Sequence, residues 1–255
     1  MSRRRIYLHA GMHKTGTTSI QKYLFDHSEA FEARGYAVFE DIEFGPFAER
    51  TGADRTNCFR LAHLLLRDAF GSPIKLRTGV RRYGLARRLG DIVRLRRMLR
   101  RIRCPNIVIS AEAFCFLRTP GERALLRIAF AGFELVPVIL FRDGADWLAS
   151  LEKQLGGLRL WLERQGRLVD GVPDGYSAHA LDFSPASDLV DYAAIRRFFG
   201  DGIYLDYEPI VAARGSVLPA FLEAIGIDPA DMPAYGEYRD NPSAEKRDWS
   251  SLADQ

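Results

Sequence analysis

Residues Ile6–Ile20 read IYLHAGMHKTGTTSI, and how this stretch divides decides the fold. An apolar, strand-like run ends near Ala10. A glycine-bounded turn, Gly11 to Gly16, follows, and a helix-like segment opens at Thr17. Strand, glycine loop and helix in that order form the setting of a phosphate-binding loop. In the usual nucleotide motif, G-x-x-x-x-G-K-[ST], lysine follows the second glycine. Here Thr17 follows Gly16, and the lysine is Lys14, two residues before that glycine. The loop therefore reads as an anion cradle of a different kind from that of an ATPase.

Four further apolar runs read as buried strands: Tyr36–Phe39, Asn106–Ser110, Leu135–Phe141 and Gly202–Tyr207. Their near-continuous apolarity predicts parallel strands covered on both faces. Helix-period stretches separate them: 17–33, 57–70, 83–103, 120–130, 145–165, 187–199 and 209–225. The expected fold class is α/β, a three-layer P-loop-like domain with a mainly parallel central sheet flanked by helices. Residues 1–235 are expected to form a single domain and 236–255 a polar tail. Residues 166–185 lack periodicity and are rich in Gly, Pro, Ser and Asp, so a surface loop is expected there.

The length of 255 residues suits one large domain, and 47% hydrophobic with 27% charged residues is ordinary for a soluble protein. The formal net charge of +3 hides an asymmetry. Residues 75–103 hold twelve Lys or Arg against one acid, Asp91, which leaves the remainder of the chain acidic. Three cysteines, Cys58, Cys104 and Cys115, show no paired spacing and fit a reducing compartment. The first apolar run is too short for a signal peptide, and Leu135–Phe141 is too short to span a bilayer. A cytoplasmic location is expected, with peripheral contact at an inner membrane surface as the second option.

Backbone N–H groups at a helix start are unsatisfied and carry partial positive charge, so they hold anions. Gly11 and Gly16 allow the tight turn, Thr17 and Thr18 add hydroxyls, and Lys14 reaches the bound group from within the loop. The alternative, that two glycines and two threonines merely cap a helix, is outweighed by the strand before the loop and the helix after it. Arg142 follows the strand ending at Phe141, and Ser150 lies two turns into the next helix. In open α/β sheets ligands bind at the carboxyl ends of strands, so Arg142 is expected at the same edge as the loop.

His13–Ser19, HKTGTTS, and the Arg142-x7-Ser150 spacing resemble the two nucleotide signatures of the sulfotransferase family. That family uses 3′-phosphoadenosine 5′-phosphosulfate (PAPS) and releases 3′,5′-adenosine bisphosphate (PAP). The resemblance implies that Lys14, Thr15, Gly16, Thr17 and Thr18 hold the 5′-phosphosulfate, with His13 beside it, while Arg142 and Ser150 hold the 3′-phosphate. It implies that Lys14 neutralises charge on the leaving phosphate oxygen. Ile203–Ile210, IYLDYEPI, resembles a late strand segment of many members. Two departures point to the bacterial or carbohydrate-type branch. Ser19 stands where small-molecule cytosolic members usually have tryptophan, and there is no Arg-Lys-Gly triplet near the C-terminus. Arg239, Asn241, Ser243 and Lys246 are the tail residues available to replace that triplet.

Sulfuryl transfer to a hydroxyl or amine needs a base beside the acceptor. Glu112, just past the strand NIVIS, is the first candidate; its alternative role is to complement a helix dipole. His63, in an apolar helical stretch, is the second, and a buried structural histidine is the commoner fate of such a residue. His9 alternates with apolar neighbours and reads as structural. No cluster has metal-ligand spacing, so no metal is expected.

The expected acceptor is a glycan, glycolipid or small metabolite, framed by residues 51–82 and 156–185. Residues 83–103 form an amphipathic helix with Leu85, Leu89, Ile92, Leu95, Leu99 and Ile102 on its apolar face. Its arginines make a solvated face, a dock for acidic glycans or lipid headgroups, or a membrane-adsorbing surface. Nucleic acid ranks last, because no aromatic-basic interleaving accompanies them. Competing activities are a P-loop nucleotide kinase and a non-catalytic nucleotide-binding module acting through the basic helix.

Overall fold

The computed structural model describes residues 3–12, 15–41, 44–50, 56–169 and 172–238. In chain order the elements are β1 (Arg5–Gly11), α1 (Thr17–Asp26), α2 (Ser28–Glu32), β2 (Tyr36–Val38) and α3 (Phe59–Leu65). Then come β3 (Phe70–Gly71), α4 (Pro73–Thr78), α5 (Leu85–Arg101), β4 (Asn106–Ser110), α6 (Pro120–Ala129), β5 (Glu134–Phe141) and α7 (Gly144–Arg164). The remainder is β6 (Leu168–Val169), β7 (Val172–Pro173), β8 (Ala178–His179), α8 (Tyr192–Phe199), β9 (Ile203–Asp206), α9 (Tyr207–Arg214) and α10 (Leu218–Ala224).

The five apolar runs are the five strands of one parallel sheet, in the order β2-β4-β1-β5-β9. Because side chains alternate across a strand, each strand feeds two cores. Ile6, Leu8, Ile107, Ile109 and Ile139 face α3, α5, α6 and α7. Tyr7, Val108, Val138 and Leu140 face α1, α2 and α10. The protein is a three-layer α/β structure with its sheet covered on both sides. Among the described residues no helix is long and apolar enough to cross a membrane.

Several expected elements are revised. The 17–33 helix breaks at His27, where φ is −118°, giving α1 and α2. The 57–70 helix shortens to α3, and a separate α4 begins at Pro73 with Ser72 accepting a hydrogen bond from the Lys75 amide. The 209–225 helix splits at Gly215, whose φ of 72° no helix accommodates. Residues 166–185 do not simply run over the surface. They contain the β6–β7 pair, and β8 adds in parallel to β3, burying Tyr176, Ala180 and Leu181. Those two strand pairs are two residues long, too short for any alternation to register.

The basic helix α5 also sits differently. Ile92, Leu95 and Leu99 are buried as expected, but Leu85 is 70% exposed and Leu89 46%. Arg88 turns inward instead. It donates to Asp68 Oδ1 at 2.7 Å and to the Leu66 carbonyl at 3.1 Å, over the Tyr83 ring. The buried face is thereby rotated away from the apolar stripe.

Candidate active site

The three central strands deliver their carboxyl ends to one edge. His9 of β1 pairs with Ser110 of β4, and Gly11 pairs with Leu140 of β5. The chain after β1 crosses to the β4 side and returns to the β5 side, so the loop after β1 lies at the switch in strand order. Ligands of open α/β sheets bind at such a switch.

The loop is tied down at both ends. Met12 N donates to the Leu140 carbonyl, and both the amide and hydroxyl of Thr15 donate to the Met12 carbonyl, at 3.3 and 2.6 Å. A Cβ on Gly11 would sit 2.2 Å from Thr17 Cγ2, so strand end and helix start approach too closely for any side chain. Gly16 precedes α1 with φ 72°, and α1 has neither a side-chain cap nor an acid in its first turn. The amides of Thr17 and Thr18 open the helix at that point, where an anion is favoured. Thr15 is buried and its hydroxyl serves the loop, whereas Thr18 is exposed. His13 and Lys14 lie outside the described residues, as do Arg239, Asn241, Ser243 and Lys246.

Thr17 is buried and spends its hydroxyl on a carboxylate: Oγ1 donates to Glu112 Oε1. Glu112 opens a short 3-10 turn, Glu112–Phe116, directly after β4, and the Ala111 amide donates to the His9 carbonyl. The structure thus brings Glu112 to the start of α1. Beneath the loop, His9 is fully buried, with Nδ1 2.8 Å from Ser110 Oγ, and burial pushes its imidazole down to about 4. Gln21 Nε2 donates to the same Ser110 hydroxyl.

His63 is placed otherwise. Nδ1 is 2.7 Å from the Phe59 carbonyl and Nε2 is 2.7 Å from Ser72 Oγ. Since a carbonyl only accepts, Nδ1 carries the proton. Burial lowers the pKa to about 4. With both nitrogens engaged, the ring ties α3 to the cap of α4 and offers no lone pair to an acceptor.

Arg142 follows β5 at the same sheet edge. Its Nε lies 3.4 Å from Glu208 Oε1, and its guanidinium stacks 5.6 Å from the Tyr207 ring centre. Both partners follow β9, on the far side of β5 from the loop. Glu208 also accepts from the Asp143 amide, and Asp143 caps α7 by accepting from Ala145 and Asp146. A cleft of about 440 Å³ opens here, lined by Phe141, Arg142, Tyr192, Arg196, Asp206 and Glu208 among others. Ser150 is half-buried on α7 and does not line that cleft. Glu208 and Tyr207 were visible only as part of the IYLDYEPI segment; that they would meet Arg142 depends on β9 pairing with β5.

No protein-family model and no curated protein matches the chain. The chain is similar to a crystal structure of the sulfotransferase from Alicyclobacillus acidocaldarius, with a TM-score of 0.49 and 14% identity, covering 99% of this chain and 90% of that one. A superposition that loose carries no weight for function, which rests on the residues of the site.

Proposed function

We propose that the chain is a sulfotransferase, moving a sulfuryl group from PAPS to a hydroxyl or amine of a glycan, glycolipid or small metabolite. The observation that carries this reading is the hydrogen bond from Thr17 to Glu112. It sets a carboxylate beside the uncapped start of α1, where the loop would hold an anion. A carboxylate next to an anion cradle opposes simple anion binding. It makes sense where a neutral acceptor must lose a proton beside the bound group.

What supports this co-substrate is a glycine-closed turn between strand end and helix start, the setting in which backbone amides hold phosphate groups. The loop residues Gly16, Thr17 and Thr18, with His13, Lys14 and Thr15, would hold the 5′-phosphosulfate, and Arg142 with Ser150 the 3′-phosphate. PAPS supplies an activated sulfuryl group with a phosphate as leaving group. Glu112 accepts the acceptor's proton, and Thr17 fixes the orientation of that carboxylate. The Lys14 ammonium balances negative charge at the leaving oxygen. Glu208 keeps the Arg142 guanidinium at the sheet edge before ligand arrives.

The test is Glu112→Gln, which keeps the shape and the Thr17 contact but not the basicity. Turnover of PAPS with a screened acceptor should fall by roughly 100-fold or more, while the Kd for PAP changes by less than about threefold. Retained turnover would remove Glu112 from the mechanism. Equal loss of PAP binding would make it a structural support of the loop.

A further inference from the structure

We propose that the outward face of α5, with Ile128 of α6, docks the protein on an anionic lipid bilayer. This goes beyond the activity above and does not depend on it. The inward rotation of Arg88 leaves Leu85, Leu89 and Val93 on the outer face, 70%, 46% and 46% exposed. Spaced by four residues, they form one stripe about 12 Å long. On the adjoining helix α6, Ile128 is also exposed, 48%, and a hydrogen bond from Arg96 to the Ile128 carbonyl joins the two helices. Exposed aliphatic side chains standing singly are ordinary; a continuous stripe marks a contact surface.

Charge identifies the occupant. α5 holds seven arginines and one acid. The acid, Asp91, faces inward, accepting from the Tyr83 hydroxyl and the Gly45 amide. Arg97, Arg100, Arg101 and Arg103 are exposed, as is Arg127 on α6 beside Ile128. Aliphatic residues with flanking arginines suit a helix lying in a bilayer interface, apolar groups among the acyl chains and guanidinium groups at the phosphates. A nucleic acid would use the arginines and leave the aliphatic stripe wet.

The experiment is flotation of the full chain with vesicles of phosphatidylcholine alone or mixed with phosphatidylglycerol. Two variants accompany the wild type: Leu85→Ser/Leu89→Ser/Val93→Ser, and Arg97→Glu/Arg100→Glu/Arg101→Glu. All six positions are exposed, so both variants should melt as the wild type does. The wild type should partition onto the anionic vesicles roughly tenfold or more above the neutral ones, and each variant should lose most of that gain. Absence of partitioning overturns the proposal, and so does a serine variant that binds as the wild type does. Retention on duplex DNA that depends on the arginines but not the aliphatic residues would also overturn it, in favour of a nucleic-acid surface. A wild-type dimer that the serine variant dissolves would overturn it as well, by showing that a second copy covers the stripe.

Discussion

At Gly11 an added Cβ would meet Thr17 Cγ2 at 2.2 Å and Thr15 Oγ1 at 2.8 Å, both on buried residues that cannot swing away. Gly11→Ala should cost about 1–3 kcal/mol and weaken PAP binding, because the loop can admit the methyl only by parting from α1. A variant with wild-type stability and affinity would show that the approach is looser than described. His63 carries a different consequence. Its folded-state pKa of about 4 lies below its ordinary 6.5, so on acidification the unfolded chain takes up the proton first. The stability associated with the neutral ring is complete above about pH 6.5 and is lost as pH falls toward 4. Asp41, whose carboxyl burial raises to about 7, acts in the opposite sense, so only a difference measurement isolates the histidine. The stability gap between wild type and His63→Asn should narrow by up to about 3 kcal/mol from pH 7 to pH 4 in urea titrations. A gap independent of pH would contradict the buried neutral assignment.

Among the elements, α6 shows how one side chain can hold several others. Thr119 and Glu122 form a reciprocal capping box. Glu122, 2% exposed, also accepts from the amides of Arg67 and Arg118 and from the Arg67 guanidinium at 3.1 Å. Glu122→Ala removes the partner of all of these and should cost about 3–5 kcal/mol; a loss near 1 kcal/mol, as for an isolated cap, would show that the network re-forms without it. The helix start at Pro120 was legible in sequence; the capping box from Thr119 and the recruitment of Arg67, 55 residues away, were not. The same division runs through the fold. All five sheet strands were legible because each is a short apolar run, buried on both faces in the central strands β1, β4 and β5 and half-buried at the edges β2 and β9. The six-residue α4 and the two-residue strands β3 and β8 were not, since nothing that short develops a period. The rotation of α5 was hidden because it depends on Asp68 and Tyr83, which only the tertiary structure brings to Arg88.

For the molecule as a whole, the functional reading depends on three neighbouring strands ending at one edge. β4 delivers Glu112, β1 the loop and β5 Arg142. The loop and Arg142 were legible as local patterns, and Glu112 as a carboxylate after a strand. Its contact with Thr17 was not, because it joins residues 95 apart. The central claim is that this edge binds a nucleotide bearing a 3′-phosphate, and the direct measurement is the melting temperature with PAP, ADP or magnesium ATP at equal concentration. At about one hundred times its Kd, PAP should stabilise the protein by roughly 2.7 kcal/mol, a shift of a few degrees, with ADP giving less and Arg142→Ala abolishing the difference between them. Stabilisation by magnesium ATP and none by PAP would contradict the account and make the protein a nucleotide kinase.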